Sequence, residues 1–359
     1  MKMNLKKILP IISFIAIALF ISACGSAYQS TGWHGLANDT DNVFLAAGTQ
    51  VFSIDISSGS ENWRYPEKAN AKIAFYTNPV LTSDGQLLVP SYDTNLYSLN
   101  PTTGSQNWLF EESSNKLIAS PLVMGELIYQ PSSDHYLYAV DMNGRLAWAK
   151  ETDGPLWAQP TTIEGCDCVI VSSQDHTVYS FDAASGRLLW QTDDLGGALV
   201  GTPAVSTDGI LYVGTFGSEM LALDADNGRT LWRYATDDWV WAGPALADGT
   251  LYFGDLSGYF YALNASDGTL NWRIQPQNSI VSTPVVLEDK IHLTTEGDTL
   301  FIVSTSGDIL DTTVIGGMIY SSPLIAGDTI FVSPTGFESL LVALNLEGNQ
   351  EWTFAPAKK

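Results

Sequence analysis

A glycine that is followed four residues later by tryptophan recurs along most of this chain. In the clearest copy, residues 220–224 read as a short strand, a polar turn ends at Gly228, and Trp232 follows. Between the last two intact copies lies a degenerate one, in which Gly307 is followed four residues later by Asp311. The tryptophans of the intact copies are Trp63, Trp108, Trp148, Trp190, Trp232, Trp272 and Trp352.

Eight copies spaced by roughly 40 residues predict an all-β fold, an eight-bladed β-propeller of four-stranded antiparallel blades. We label the predicted strands of each blade A to D. Strand A carries a proline, as at Pro203 and Pro244, and proline suits a strand edge that has no partner. Strand A is therefore expected next to the central channel. A chain of 359 residues suggests two domains by length, but repeated blades close on themselves, so we expect residues 31–359 to form one domain.

The first repeat is as complete as the others. Residues 33–37 match residues 241–245, with Leu36 in the place of Pro244. The last strand D runs through Trp352 almost to the end of the chain. We therefore expect blades 1 and 8 to close the ring by side packing, with little or no exchange of strands.

The N-terminus has the pattern of an export signal. Residues 1–7 are basic, residues 8–21 are largely apolar, and Ser22 and Ala23 precede Cys24. The apolar stretch is shorter than the roughly 20 residues of a membrane-spanning helix. The pattern predicts a bacterial lipoprotein signal peptide over residues 1–23, a diacylated Cys24 and a tether over residues 24–30. The chain would then be anchored by lipid in the cell envelope, facing the periplasm or the exterior.

The net charge excludes some classes of partner. The chain has 39 acidic and 16 basic residues, for a net charge of −23. Such a surface repels nucleic acid and anionic lipid, so we expect no nucleic-acid partner and no membrane contact beyond the lipid anchor. The charge suits a soluble exported domain, and it would also favour basic partners.

The repeat resembles the tryptophan-docking motif of quinoprotein-like (PQQ-type) propellers over about residues 31–355. In blade 5 the motif residues are Ala222, Asp224, Gly228 and Trp232. The resemblance implies that each tryptophan lies flat between neighbouring blades and holds them together, which is a structural role.

Two branches of this family imply different functions. The quinoprotein dehydrogenases use PQQ with calcium, a catalytic aspartate and a pair of adjacent cysteines, and they are usually much longer. The BamB outer-membrane assembly lipoproteins have a lipid anchor, about this length and no cofactor. This chain resembles the second branch, which implies a monomeric, non-catalytic scaffold with protein partners in the envelope and no catalytic residue. A PQQ-dependent alcohol or sugar dehydrogenase is the alternative.

One set of positions predicts a binding surface. The residue three positions before each strand-A proline, or before Leu36 in blade 1, is aromatic in five of the eight blades. These five, called the rim residues below, should surround one mouth of the channel and could bind a peptide, a glycan or a partner loop. Packing between blades explains the same positions at least as well, because the residue directly before them is usually apolar too. The eight residues are Trp33, Tyr76, Ile118, Trp157, Val200, Trp241, Val281 and Tyr320.

Three further polar patterns give less specific evidence for a site. Cys166 and Cys168 lie in the A–B hairpin of blade 4, where they would be structural or incidental, form a local disulfide, or start a metal site. His135 and His176 occupy equivalent B–C turns, where turn geometry competes with a weak metal or pH-sensitive pair. The pattern at Asp224 fits a capped turn better than a calcium loop. No metal site is predicted, and no hydrolase or phosphate-binding motif is recognisable.

Overall fold

The computed structural model describes residues 33–357. Within this range eight antiparallel blade sheets follow one another in sequence, with one further two-stranded sheet in blade 8, which confirms the eight-bladed propeller. The predicted signal peptide, Cys24 and the tether lie outside the described residues. Among residues 33–357, no helix is long and apolar enough to cross a membrane.

In each blade the strands pair in sequence order, from the innermost strand A to the outermost strand D. Blade 1 contains β1 (Gly35–Asn38), β2 (Asn42–Ala47), β3 (Gln50–Asp55) and β4 (Glu61–Tyr65). Blade 2 contains β5 (Val80–Leu81), β6 (Leu87–Pro90), β7 (Leu96–Leu99) and β8 (Gln106–Phe110). Blade 3 contains β9 (Leu122–Met124), β10 (Leu127–Pro131), β11 (Tyr136–Asp141) and β12 (Leu146–Glu151). Blade 4 contains β13 (Cys168–Ser172), β14 (Val178–Asp182) and β15 (Leu188–Gln191).

The second half of the ring repeats this order. Blade 5 contains β16 (Ala204–Val205), β17 (Ile210–Thr215), β18 (Glu219–Asp224) and β19 (Thr230–Ala235). Blade 6 contains β20 (Ala245–Ala247), β21 (Thr250–Gly254), β22 (Phe260–Asn264) and β23 (Leu270–Ile274). Blade 7 contains β24 (Val285–Leu287), β25 (Lys290–Thr294), β26 (Thr299–Ser304) and β27 (Ile309–Val314). Blade 8 contains β29 (Leu324–Ala326), β30 (Thr329–Val332), β32 (Leu341–Asn345) and β33 (Gln350–Phe354), and an extra pair joins β28 (Met318–Ile319) to β31 (Pro334–Thr335).

Burial follows the position of each strand in its blade. Strands B and C, such as β17 and β18, are buried on both faces because a neighbouring blade covers each face. Strand D, such as β19, alternates between exposed and half-buried residues, as expected at the outer edge. The innermost β1 lies beside β5 and β29, so the A strands line the channel as predicted.

Blade 4 departs from the predicted four strands. Its strand A is reduced to a single bridge between Thr161 and Ile170, which leaves a three-stranded sheet. The hydroxyl of Thr162 donates to the carbonyl oxygen of Cys168 at 2.7 Å. This side-chain hydrogen bond occupies the carbonyl beside the Cys166–Cys168 hairpin, so the backbone ladder ends early there.

The tryptophan rings join neighbouring blades. The Trp232 ring covers Gly268 of the next blade, and its indole nitrogen donates to the carbonyl oxygen of Ala265 at 3.1 Å. The same arrangement closes the ring, because Trp352 covers Gly59 of blade 1 and donates to the carbonyl oxygen of Ile56 at 3.0 Å. Blades 1 and 8 each keep four strands of their own, so the ring closes without strand exchange. The other contacts of this kind pair Trp63 with Gly104, Trp108 with Gly144, Trp148 with Gly186, Trp190 with Gly228 and Trp272 with Gly307.

The junction of blades 7 and 8 is built differently. Here Asp311 and Thr313 lie where a tryptophan would cover Gly348, and the Thr313 hydroxyl donates to the Gly348 carbonyl oxygen at 2.9 Å. On strand B of blade 7, His292 takes the place that Tyr252 has in blade 6, opposite the central residue of strand C. His292 is fully buried. Where blade 6 has the ring pair of Tyr252 and Trp272, blade 7 thus has the polar side chains of His292 and Asp311.

Candidate functional site: the mouth of the channel

One face of the propeller carries the B–C turns together with the segments that lead into the A strands. We call it the mouth face. Its B–C turns share a left-handed residue, with φ of 76° at His135 and 73° at His176. Thr94, Ser218 and Gly258 hold the same place in other blades, so turn geometry accounts for both histidines.

The five rim residues converge on one cavity at the mouth of the channel. This cavity, called the mouth cavity below, has a volume of about 220 Å³. Among the described residues, its lining includes seven of the eight positions predicted from the proline spacing, and Val281 is the exception. The rim residues in the lining are Trp33, Tyr76, Trp157, Trp241 and Tyr320.

Packing between blades falls mainly to the residues that precede the rim. Leu156 and Val240, which come directly before Trp157 and Trp241, are fully buried. By contrast, Trp33 is 37% exposed and Trp241 is half-buried. The alternation of side chains along an extended segment thus sends one residue into the blade junction and the next towards the cavity.

Neighbouring groups hold the rim residues in place. The ring centroids of Trp33 and Trp241 are 6.0 Å apart, although blades 7 and 8 separate their blades around the ring. Trp33 therefore reaches over the channel, and its ring is also 6.4 Å from that of Tyr320. On the other side, the indole nitrogen of Trp157 donates to the hydroxyl oxygen of Ser133 at 3.1 Å. These contacts fix the orientation of the rings before any ligand binds.

Below the rings the cavity has a polar wall of hydroxyl and amide groups. The Asn78 side-chain oxygen accepts the backbone N–H of Leu36 at 3.0 Å, and the Ser120 hydroxyl donates to the Asn78 carbonyl oxygen at 2.8 Å. The Gln159 amide nitrogen likewise donates to the carbonyl oxygen of Pro121 at 3.1 Å. These hydrogen bonds join the segments that lead into the A strands of neighbouring blades and keep the wall rigid.

The mouth cavity is electrically neutral. None of the described residues that line it is an aspartate, glutamate, lysine or arginine. Its histidine, His34, is buried and lies with Nδ1 2.7 Å from the hydroxyl oxygen of Ser333. Burial lowers the pKa of His34 to about 4, so the ring is uncharged at neutral pH.

A wider groove opens beside the mouth cavity, between blades 7 and 8. This blade 7–8 groove has a volume of about 1060 Å³ and shares Trp33 and Tyr320 with the mouth cavity. Glu296 and Asp298 give it negative charge, and Met318, which is 55% exposed, gives it an apolar edge. The sequence interpretation missed this groove, although the B–C turn of blade 8 is visibly longer than the others.

Two comparisons with known proteins bear on this fold. A family model described as "Outer membrane protein assembly factor BamB" matches residues 25–165, 174–279 and 237–310. The chain belongs to the BamB family. No curated protein matches this BamB-family chain.

Two solved structures resemble the propeller. The crystal structure of BamB from Moraxella catarrhalis has a TM-score of 0.75 and 17% sequence identity, and the match covers 88% of this chain and 98% of that one. The crystal structure of the computationally designed Ika8 protein has a TM-score of 0.75 and 14% identity, with 89% and 98% covered. At these identities both comparisons show the fold alone.

The mouth cavity does not fit the cofactor of the dehydrogenase branch. PQQ is an anionic quinone, and calcium prefers carboxylate and carbonyl oxygens, yet the cavity offers neither a basic nor an acidic side chain. In residues 33–357 no group of three or more histidine, cysteine, aspartate or glutamate side chains is arranged to hold a metal ion. Cys166 and Cys168 are bonded to each other, in a hairpin on the face opposite the mouth.

The histidine and aspartate residues that the sequence offered as candidates do not lie at the mouth cavity with the rim residues. His176 lies 3.1 Å from Asp194 in an exposed pair on its own blade. The Asp224 carboxylate accepts the backbone N–H of Asp226 at 3.0 Å and the side-chain amide of Asn227 at 2.9 Å, as in a capped turn.

Proposed function

We propose that this BamB-family protein is a non-catalytic scaffold, exported and anchored by lipid at Cys24 in a bacterial cell envelope. It binds protein partners as an accessory in envelope or outer-membrane protein assembly, and it acts as a monomer. Membership of the BamB family supports the assembly role. The basic, apolar and small residues before Cys24 support the anchor.

The observation that carries the scaffold proposal is the blade 7–8 groove on the mouth face. Met318 is 55% exposed and lines this groove together with Trp33. Phe337 is 41% exposed and lies beside Gly317 at the edge of the groove. Methionine and aromatic side chains are enriched where proteins contact each other, and a concave surface of this size exceeds what a small metabolite needs. Glu296 and Asp298 would select a partner segment that carries lysine or arginine.

Site-specific photo-crosslinking in intact cells tests this function. A photoreactive amino acid replaces Met318 on the mouth face, and Asp208, an exposed residue in an A–B hairpin on the opposite face, is the matched control. We expect Met318 to give a discrete adduct that mass spectrometry assigns to an envelope assembly protein, while Asp208 gives none. Equal adducts from both positions, or none from Met318, would contradict a scaffold that uses the mouth face.

The anchor and the oligomeric state need separate measurements. Cells labelled with palmitate should incorporate label into the wild-type protein and lose it in the Cys24→Ser variant, which should also leave the membrane fraction. Light scattering of the purified protein should give the mass of one chain. Palmitate label in the Cys24→Ser variant would refute the proposed anchor, and a mass of two chains would refute the monomer.

A further inference from the structure

We infer that the mouth cavity binds one ring of a neutral saccharide, stacked on the rim aromatics and hydrogen-bonded by the wall below them. The cavity is distinct from the blade 7–8 groove that the scaffold proposal uses, although Trp33 and Tyr320 border both. The inference goes beyond a protein-binding scaffold and gives this propeller a small-molecule ligand of its own.

The charge of the lining decides the class of ligand. The chain as a whole has a net charge of −23, and the neighbouring groove carries Glu296 and Asp298. The lining of the mouth cavity has no charged residue, and its buried His34 is neutral. An anionic ligand would be repelled by the protein and would find no cation, and a cationic ligand would find no carboxylate in the cavity. A neutral ligand has neither cost.

The combination of aromatic rings and hydroxyl groups indicates a sugar among neutral ligands. A pyranose ring presents flat C–H faces to aromatic side chains and hydroxyl groups around its edge. Trp33, Trp157 and Trp241 supply aromatic surface at the top of the cavity. The hydroxyl oxygens of Thr202 and Ser322 accept backbone N–H groups at 3.3 Å and 2.9 Å. As far as the described part of the chain shows, their own hydroxyl hydrogens can therefore donate to a ligand.

An extended peptide fits the mouth less well. A bound peptide strand would have to pair with the inner edge of an A strand. Proline stands directly before strand A in most blades, for example at Pro121, Pro203 and Pro244, and it removes the N–H nearest the mouth. The A strands that follow are only two to four residues long, and in blade 4 strand A is a single bridge. The mouth therefore offers side chains to a ligand and little backbone.

The volume limits the ligand to the end of a glycan. About 220 Å³ is below the roughly 300–1,000 Å³ typical of sites for drug-sized molecules. Trp33 also covers part of the opening, since it reaches across to Trp241. One sugar ring would enter the cavity, and the rest of the glycan would extend outside it along the mouth face.

Binding of neutral oligosaccharides to the full chain tests the inference. The probes are maltohexaose, cellohexaose and chitohexaose, with hexagalacturonate as the charged counterpart and a Gly-Ser hexapeptide as the peptide counterpart. The protein is kept in a detergent without a sugar headgroup, and binding is followed by tryptophan fluorescence and calorimetry. Trp33→Ala and Trp241→Ala remove rim surface. Trp239→Ala is the matched control, because Trp239 is 46% exposed on the same face and does not line the cavity. It stacks on Phe216, and its removal leaves in place the contact between Phe216 and Trp241, whose ring centroids are 5.2 Å apart.

We expect saturable binding of at least one neutral oligosaccharide and weaker binding of hexagalacturonate. Trp33→Ala and Trp241→Ala should each weaken binding by about tenfold and Trp239→Ala by less than about twofold. Trp33→Ala should leave the unfolding midpoint unchanged, because Trp33 is among the most exposed of the rings. The inference is overturned if no neutral saccharide binds, if the peptide binds instead, or if Trp239→Ala weakens binding as much as the rim variants. Each of these results leaves the crosslinking test at Met318 unaffected, so the two proposals fail separately.

Discussion

The contact between Trp232 and Gly268 gives the sharpest stability prediction. An added Cβ at Gly268 would lie 2.7 Å from one ring carbon of Trp232 and 2.8 Å from another. The residue also has φ of +73°, where alanine is strained. Gly268→Ala therefore combines a backbone cost with displacement of the tryptophan ring. Gly249 of the same blade has φ of +72° and nothing within 4 Å of an added Cβ, so it isolates the backbone cost.

The two variants should differ by the cost of moving the ring. A left-handed alanine costs about 1–2 kcal/mol, which is the whole effect expected for Gly249→Ala. Overpacking a well-filled contact adds about 1–3 kcal/mol, so Gly268→Ala should cost about 2–5 kcal/mol. In a Trp232→Ala background the added Cβ meets no ring, and the cost of Gly268→Ala should fall to that of Gly249→Ala.

Urea unfolding, followed by fluorescence and circular dichroism, measures these differences. The comparison is valid while both signals change together and the slope with urea stays constant. Equal loss of stability in Gly268→Ala and Gly249→Ala would refute the reasoning, because the ring contact would then carry no cost. An unchanged cost of Gly268→Ala in the Trp232→Ala background would refute it as well.

Three further predictions concern stability. His34 has a pKa of about 4 in the fold against 6.5 when unfolded, so stability is constant above pH 6.5 and is lost as the pH falls towards 4. The loss should reach about 2–3 kcal/mol near pH 4.5, and His34→Gln should remove it in urea titrations at several pH values. Reduction of the Cys166–Cys168 disulfide should lower the free energy of unfolding by only about 1–2 kcal/mol, since it closes a very short loop; a larger loss on adding dithiothreitol would refute this. Thr313→Val removes the hydrogen bond to Gly348 and should cost about 1 kcal/mol, with faster amide exchange in blades 7 and 8 but not in blades 3 and 4.

The blades were predictable because one repeat encodes its own geometry. The four-residue spacing from Gly228 to Trp232 and the period of the repeat can both be read directly from the sequence. Proline before strand A placed that strand at the channel, and counting back from it placed the rim residues around the mouth. These inferences rest on local spacing, which the propeller repeats in each blade.

Contacts between distant blades were not predictable from the repeat. Trp33 meets Trp241 only because the ring closes and its side chain extends over the channel. Val281 has the spacing of a rim residue but does not line the cavity. Whether a residue at this position lines the cavity depends on the side chains around it in space, which the spacing does not give. In blade 4, strand A is reduced to the bridge between Thr161 and Ile170, and the Thr162 hydroxyl takes the Cys168 carbonyl oxygen, a contact that the strand pattern does not reveal.

We propose that this propeller acts without a quinone cofactor. The full chain is mixed with PQQ and calcium, passed through a desalting column, and its absorbance spectrum is recorded. The neutral lining of the mouth cavity predicts a spectrum of protein alone. Quinone that elutes with the protein in stoichiometric amount would contradict the claim, and dye-linked oxidation of alcohols and sugars would then have to be measured.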